Sequence, residues 1–296
     1  MTPAIKLTGR LLDALSVTAP PLARRLAWEL FRRPVRRARV HPHEQAAHAA
    51  AVREDYTVDG LRVAGYRWGD GDRPVLLLHG WSSRGSRFAA LATELAKRGH
   101  TAIAVDAPGH GDSGGDSTTV PQYARLVHAI QQRHGDFRGI AGHSLGVLTA
   151  FHALRTGVRA DAIVTVSGIA DFGHLLTEFA RRLRLRPPVT DDVRRRLEKL
   201  LGDDDIWTRL SSDHQPEHVT QPLLILHDAD DDFVGVDHAH RLHQAYPHSE
   251  LVITEGLGHR GVLADPRIFG PAAEWLSARA GAAPLRRPPT APAPAR

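Results

Sequence analysis

Hydrophobic positions recur along this chain in two rhythms. Short apolar runs rich in branched residues occupy 75–78, 101–105, 137–141, 162–166, 223–226 and 251–254. Runs of that kind predict strands buried on both faces. Ahead of them, 56–58 and 61–68 flank Asp59-Gly60, a dipeptide favoured in two-residue hairpin turns, so two antiparallel strands are expected first. Helical stretches between the runs stop near Gly99, Gly135 and Gly157, where a helix C-terminal glycine belongs. The alternation predicts an α/β fold: a mostly parallel eight-stranded sheet with helices on both faces, meeting its ligands at the carboxyl ends of the strands.

Three segments break this rhythm. Within 1–55, residues 22–39 mix apolar positions and arginines at helical spacing, placing Leu22, Leu26, Leu30 and Phe31 on one face until Pro34 ends or kinks the helix. Such a helix packs its apolar side on the domain with its arginines solvated, or lies on an anionic membrane surface. Residues 169–221 form an insertion after the sixth strand. There Phe172, Leu175, Leu176, Phe179 and Leu183 recur with helical spacing, Arg181, Arg182, Arg184 and Arg186 follow, and a second helix is expected around 191–201. This reads as a small helical cap. Phe172, Leu176 and Phe179 are its candidates for roofing an apolar pocket. The expected organisation is a basic helical arm at 1–55, an α/β domain at 56–280 carrying the cap, and a tail at 281–296 with the Pro/Ala/Arg composition of a disordered end.

Composition narrows the picture. With 296 residues and 42% hydrophobic content, the chain can bury the core of one large domain. It has no cysteine, which excludes disulfides, thiolate zinc sites and thiol catalysis. The net charge of +5 sits at the ends: residues 1–55 hold ten Lys/Arg against five Asp/Glu, and 281–296 add three arginines. No apolar run of about 18 residues and no secretion signal is present, so a cytoplasmic protein is expected, with peripheral membrane contact through 22–39 as the alternative. No nucleic-acid recognition motif accompanies the basic ends, and no nucleic-acid partner is expected.

Four strand ends carry residues suited to chemistry. The sharpest is Gly142-His143-Ser144-Leu145-Gly146, where strand, turn and helix would present a serine hydroxyl above the sheet edge. His79-Gly80-Trp81 follows 75–78, and the Trp81 N–H together with that of Leu145 could meet developing negative charge. His79, Gly80 and His143 would border the substrate. Asp106 to Ser113 reads as a rigid turn. His227 to Val234 crowds four aspartates into five positions but lacks the ligand pattern of a calcium loop. Finally, Gly256-Leu257-Gly258-His259 places a histidine late in the chain, in the order Ser, Asp, His. In that arrangement His259 takes and returns a proton while Asp231 orients it.

From residue 56 to 280 these motifs together resemble the α/β-hydrolase superfamily: HGW at 79–81, DAPGHGDS at 106–113, GHSLG at 142–146, HDADDDFV at 227–234 and GLGH at 256–259. The resemblance implies Ser144 as nucleophile, Asp231 and His259 as its partners, Trp81 and Leu145 as oxyanion donors, and neither a metal nor an organic cofactor. Relatives that open epoxides or remove halides carry aspartate in place of this serine. A serine therefore implies acyl transfer from a small-molecule ester, thioester or amide, to water or to another acceptor; a non-catalytic binding module on the same fold is the alternative. The family's His-Gly in the acid loop is His227-Asp228 here, which leaves Asp230 and Asp232 as alternative acids.

Overall fold

The computed structural model describes residues 3–202 and 204–279; the expected tail at 281–296 lies outside the described residues. The chain opens with two helices, α1 (Pro3–Thr18) and α2 (Pro20–Arg32), and the short α3 (Gln45–Ala49). It then enters the hairpin β1 (Val52–Val58) and β2 (Leu61–Trp68). Asp59 and Gly60 both have positive φ, 51° and 74°, as the tight turn with strand-matched twist requires. β1 begins at Val52, inside what the sequence assigns to the arm. The charged run Arg53-Glu54-Asp55 hides this start, because β1 buries only alternate positions and covers Glu54 by pairing it with Arg67 at 2.8 Å.

Alternation follows: β3 (Pro74–Leu78), α4 (Ala89–Lys97), β4 (Thr101–Val105), α5 (Val120–His134), β5 (Gly139–His143), α6 (Leu145–Arg155) and β6 (Ile163–Val166). The cap helices α7 (His174–Leu183), α8 (Pro187–Leu201) and α9 (Ile206–Arg209) come next, then β7 (Leu223–Asp228), α10 (Asp237–Ala245), β8 (Glu250–Thr254), α11 (Gly258–Gly261) and α12 (Pro266–Ala278). The strands form one eight-stranded sheet in the order β1-β2-β4-β3-β5-β6-β7-β8. β2 runs antiparallel to β1 and β4, and every other pairing is parallel. Each residue of β3 to β7 is buried, as their unbroken apolar runs predict. One face packs on α5, α6 and α10, the other on α4 and α12.

The N-terminal arm is not free. α1 and α2 fold onto the cap, where Leu12, Ala23 and Ala27 share an apolar cluster with Leu176, Leu183, Val189 and Val193. Gly9 lies so close to the cap that a Cβ there would stand 2.6 Å from the Leu183 carbonyl oxygen. Leu26, Leu30 and Phe31 are covered in the same cluster, so the apolar side of α2 is used for packing, while Leu22 stays exposed. Downstream, the Arg37 guanidinium donates to the carbonyls of Gly111, Ser113 and Gly115. Glu44, buried, accepts from Ser86 Oγ at 2.7 Å and pairs with Arg87. The arm thus straps the loop after β4 through Arg37 and the segment between β3 and α4 through Glu44. No helix among the described residues is long and apolar enough to cross a membrane.

Candidate active site

The turn between β5 and α6 forces Ser144 into φ 54° and ψ −116°, a conformation costly for any residue with a Cβ. The turn closes around it because residues 142 and 146 are glycines. A Cβ on Gly142 would stand 2.8 Å from the Gly146 backbone, and one on Gly146 would run into the Leu78 carbonyl at the end of β3. Neither Trp81 N–H nor Leu145 N–H finds a hydrogen-bond acceptor among the described residues. The His79-Gly80-Trp81 turn abuts the serine: a Cβ on Gly80 would lie 2.9 Å from Ser144 Cβ.

His79 fixes the orientation of that turn. The Ala107 N–H donates to its Nε2 at 2.9 Å, so Nε2 must carry the lone pair and Nδ1 the hydrogen, which donates to the Gly80 carbonyl at 2.7 Å. Burial, aided by neighbouring His110, pushes its pKa well down and keeps the ring neutral. Across the trans Gly80–Trp81 peptide, C=O and N–H point opposite ways, so the Trp81 N–H is turned away from His79. His110 secures the next residue, accepting from Ser82 N–H at 3.1 Å and donating to the Pro108 carbonyl at 3.0 Å.

The acid loop sorts its four aspartates. Asp231 Oδ1 accepts from Phe233 and Val234 N–H at 2.9 and 2.8 Å, and Oδ2 accepts from His259 Nδ1 at 2.8 Å. Burial pushes the Asp231 pKa up, but the His259 bond and those two amides outweigh it and hold it at about 2. Asp228 binds Leu257 and Gly258 N–H and thereby shapes the loop that carries His259. Asp230 accepts from Gly256 N–H, and Asp232 faces Arg182 at the surface. Of the three candidate acids, only Asp231 reaches the histidine. His227, where the resembling family has its usual histidine, closes the loop by donating Nε2–H to the Val234 carbonyl at 2.8 Å. Among the described residues no group of three or more His, Asp or Glu is arranged to hold a metal.

His259 meets the serine turn through His143. Their rings lie 4.7 Å apart, and His143 Nε2–H donates to the His259 carbonyl at 2.8 Å. Burial, with the nearby His259, pulls the His143 pKa down to about 3, and its Nδ1 has no partner among the described residues. No hydrogen bond joins Ser144 Oγ to the His259 ring among the described residues; the connection runs through adjacent backbone.

The sheet is shared in outline with known proteins. The model of the alpha/beta hydrolase family matches residues 75–273. The chain belongs to that family. Esterase YjfP of Escherichia coli is 28% identical over 204 residues, 61% of this chain and 78% of its own. Among solved structures, a Pyrococcus furiosus esterase superposes with a TM-score of 0.63 at 18% identity, covering 84% of this chain and 98% of its own. A monoacylglycerol lipase of Paleococcus ferrophilus gives 0.58 at 22%, covering 73% and 99%. The family and these relatives support a hydrolase.

In this α/β-hydrolase several expected substrate contacts sit elsewhere. His79 and His143 are buried and each holds a backbone carbonyl, so they position their neighbours. Leu176 packs under α1 and α2, and Phe179 meets Phe31 edge-on at 5.2 Å, so both serve the cap–hairpin seam. Phe172 does join the apolar cluster that holds Trp81, Leu145, Leu148 and Phe233. Sequence reasoning missed two members of that cluster, Trp28 and Phe31 of α2. The helical spacing that includes Phe31 marked a packing face but carried no sign of which surface it meets, and Trp28 was not singled out.

Proposed function

We propose that the chain is a serine hydrolase that cleaves carboxylic esters, thioesters or amides through an acyl-enzyme. The observation carrying this reading is the Asp231–His259 bond of 2.8 Å, formed on a loop that docks onto the residue next to Ser144. Asp231 is ionised, so His259 Nδ1 bears the hydrogen and Nε2 is left with the lone pair a general base needs. On this reading Ser144 Oγ and His259 Nε2 form their hydrogen bond in the substrate complex, as catalytic hydrogen bonds commonly tighten only there. Ser144 Oγ then attacks the acyl carbon, His259 takes its proton and passes it to the leaving group, and water, activated by the same imidazole, releases the acid. Trp81 and Leu145 N–H receive the oxyanion, each lowering the barrier by roughly 3–4 kcal/mol.

The acyl group would lie among Trp81, Leu145, Phe172 and Phe233, with Trp28 and Phe31 closing the far side, which favours an apolar acyl chain. Relatives named as an esterase and a lipase support the ester reading. Labelling with a fluorophosphonate, comparing wild type with Ser144→Ala, tests it. Labelling confined to wild type, together with turnover of aryl esters, is the expected result; labelling that survives the substitution sinks the assignment.

A further inference from the structure

The two faces of α1 are both apolar, and only one of them is used. On the inner face, Ile5, Gly9, Leu12 and Leu15 pack against the cap cluster. On the outer face, Leu7, Leu11 and Val17 remain 69%, 55% and 62% exposed, with Ala14 exposed between them. Leu7, Leu11 and Ala14 follow one another at helical i, i+4, i+7 spacing and so form one stripe. Leu22, at the start of α2, adds a further exposed apolar side chain at 45%. Exposed leucines are common singly, but an ordered stripe of them on one helix calls for a partner.

Charge identifies the partner. Lys6 and Arg10 lie on the exposed side of α1, and Arg24 and Arg25 follow on α2. None of the four has an ion pair or hydrogen bond among the described residues, whereas the neighbouring acids are spent: Asp13 on Arg186 at 2.7 Å, Glu29 on Arg32 and Arg33. A second copy of this chain would bring four unpaired cations against four more. An anionic bilayer neutralises them while accepting the leucines at the headgroup boundary, which supplies the two signals stable peripheral binding needs.

We propose that the outer face of α1, with the start of α2, docks on an anionic lipid surface. The surface shares only the start of α2, Leu22 to Arg25, with the segment the sequence pointed to, since Leu26, Leu30 and Phe31 are already covered by the cap. It does not rest on the hydrolytic reading and is tested without a substrate. The full-length chain is sedimented with vesicles of phosphatidylglycerol and, separately, of phosphatidylcholine, beside Leu7→Asp/Leu11→Asp and Lys6→Gln/Arg10→Gln/Arg25→Gln, each checked for folding by circular dichroism. Wild type is expected to partition onto the anionic vesicles, to lose most of that binding in high salt, and to bind about tenfold or more weakly in either variant. Equal binding by the variants, equal affinity for neutral vesicles, no vesicle binding, or a dimer dissolved by the leucine substitutions would each overturn it.

Discussion

Replacing His79 isolates a contribution that no pairwise contact with substrate could supply. In His79→Ala the Gly80 carbonyl loses the donor at 2.7 Å that sets its direction, and the Gly80–Trp81 peptide is free to rotate. If rotation removes the Trp81 N–H from the oxyanion site entirely, the loss equals one oxyanion donor, about 3–4 kcal/mol, or roughly 10²–10³ in kcat. If the remaining packing holds the peptide and only one neutral hydrogen bond is lost, about 1 kcal/mol, the fall is roughly fivefold. The effect should appear in kcat with KM nearly unchanged, because the donor acts on charge that develops in the transition state. Stability falls as well, since the Ala107 N–H is left buried without its acceptor at a cost of about 1–3 kcal/mol. Steady-state ester hydrolysis is therefore measured below the unfolding transition, with folding followed by circular dichroism. A folded His79→Ala protein with kcat within about threefold of wild type would refute the positioning argument.

Four further outcomes follow from the same geometry. Asp231→Asn should lower kcat by about 10⁴, while Asp230→Asn and Asp232→Asn stay within about tenfold, because neither reaches His259; steady-state kinetics on one aryl ester separates them. The Asp231 carboxyl is held at about 2, below its ordinary 3.8, so its contribution to stability is complete above about pH 5 and is lost as pH falls towards 2. Urea unfolding from pH 6 to 2.5 should accordingly show wild type losing up to about 2 kcal/mol more than Asp231→Asn, and parallel curves would contradict this. Gly146→Ala drives a methyl into the Leu78 carbonyl, and the expected result is loss of fluorophosphonate labelling even where circular dichroism shows a fold. Phe31→Ala should weaken the longest acyl esters by about 10- to 100-fold relative to acetate, and an unchanged chain-length series would remove α2 from the acyl wall.

Much of this arrangement is legible in the sequence because the physics is local. Buried strands announce themselves as apolar runs, and the glycine at 142 is demanded by a contact within one turn. The order Ser144, Asp231, His259 points to the proposed site because strand ends converge in a parallel sheet. What escaped is non-local. Nothing in 22–39 tells whether Phe31 meets solvent, lipid or the cap, since an amphipathic face specifies that it will be covered but not by what. His79 and His143 read as pocket residues because they adjoin the motifs; only their hydrogen bonds to the Gly80 and His259 carbonyls show them turned to the backbone. Among the four clustered aspartates, composition gives no ranking, and it takes the loop path fixed by His227 and Asp228 to single out Asp231.

The seating of α1 and α2 on the cap has a practical edge. A shortened protein that starts at β1 would keep every strand and every residue proposed for proton transfer, yet it would bare Leu176, Val189 and Val193 to water and remove the Arg37 strap from the loop after β4 and the Glu44 strap from the segment before α4. Such a fragment should tend to aggregate, and any activity it retains should come with a broadened choice of acyl group. For this molecule, the first fifty residues decide how well the remainder keeps its shape in solution.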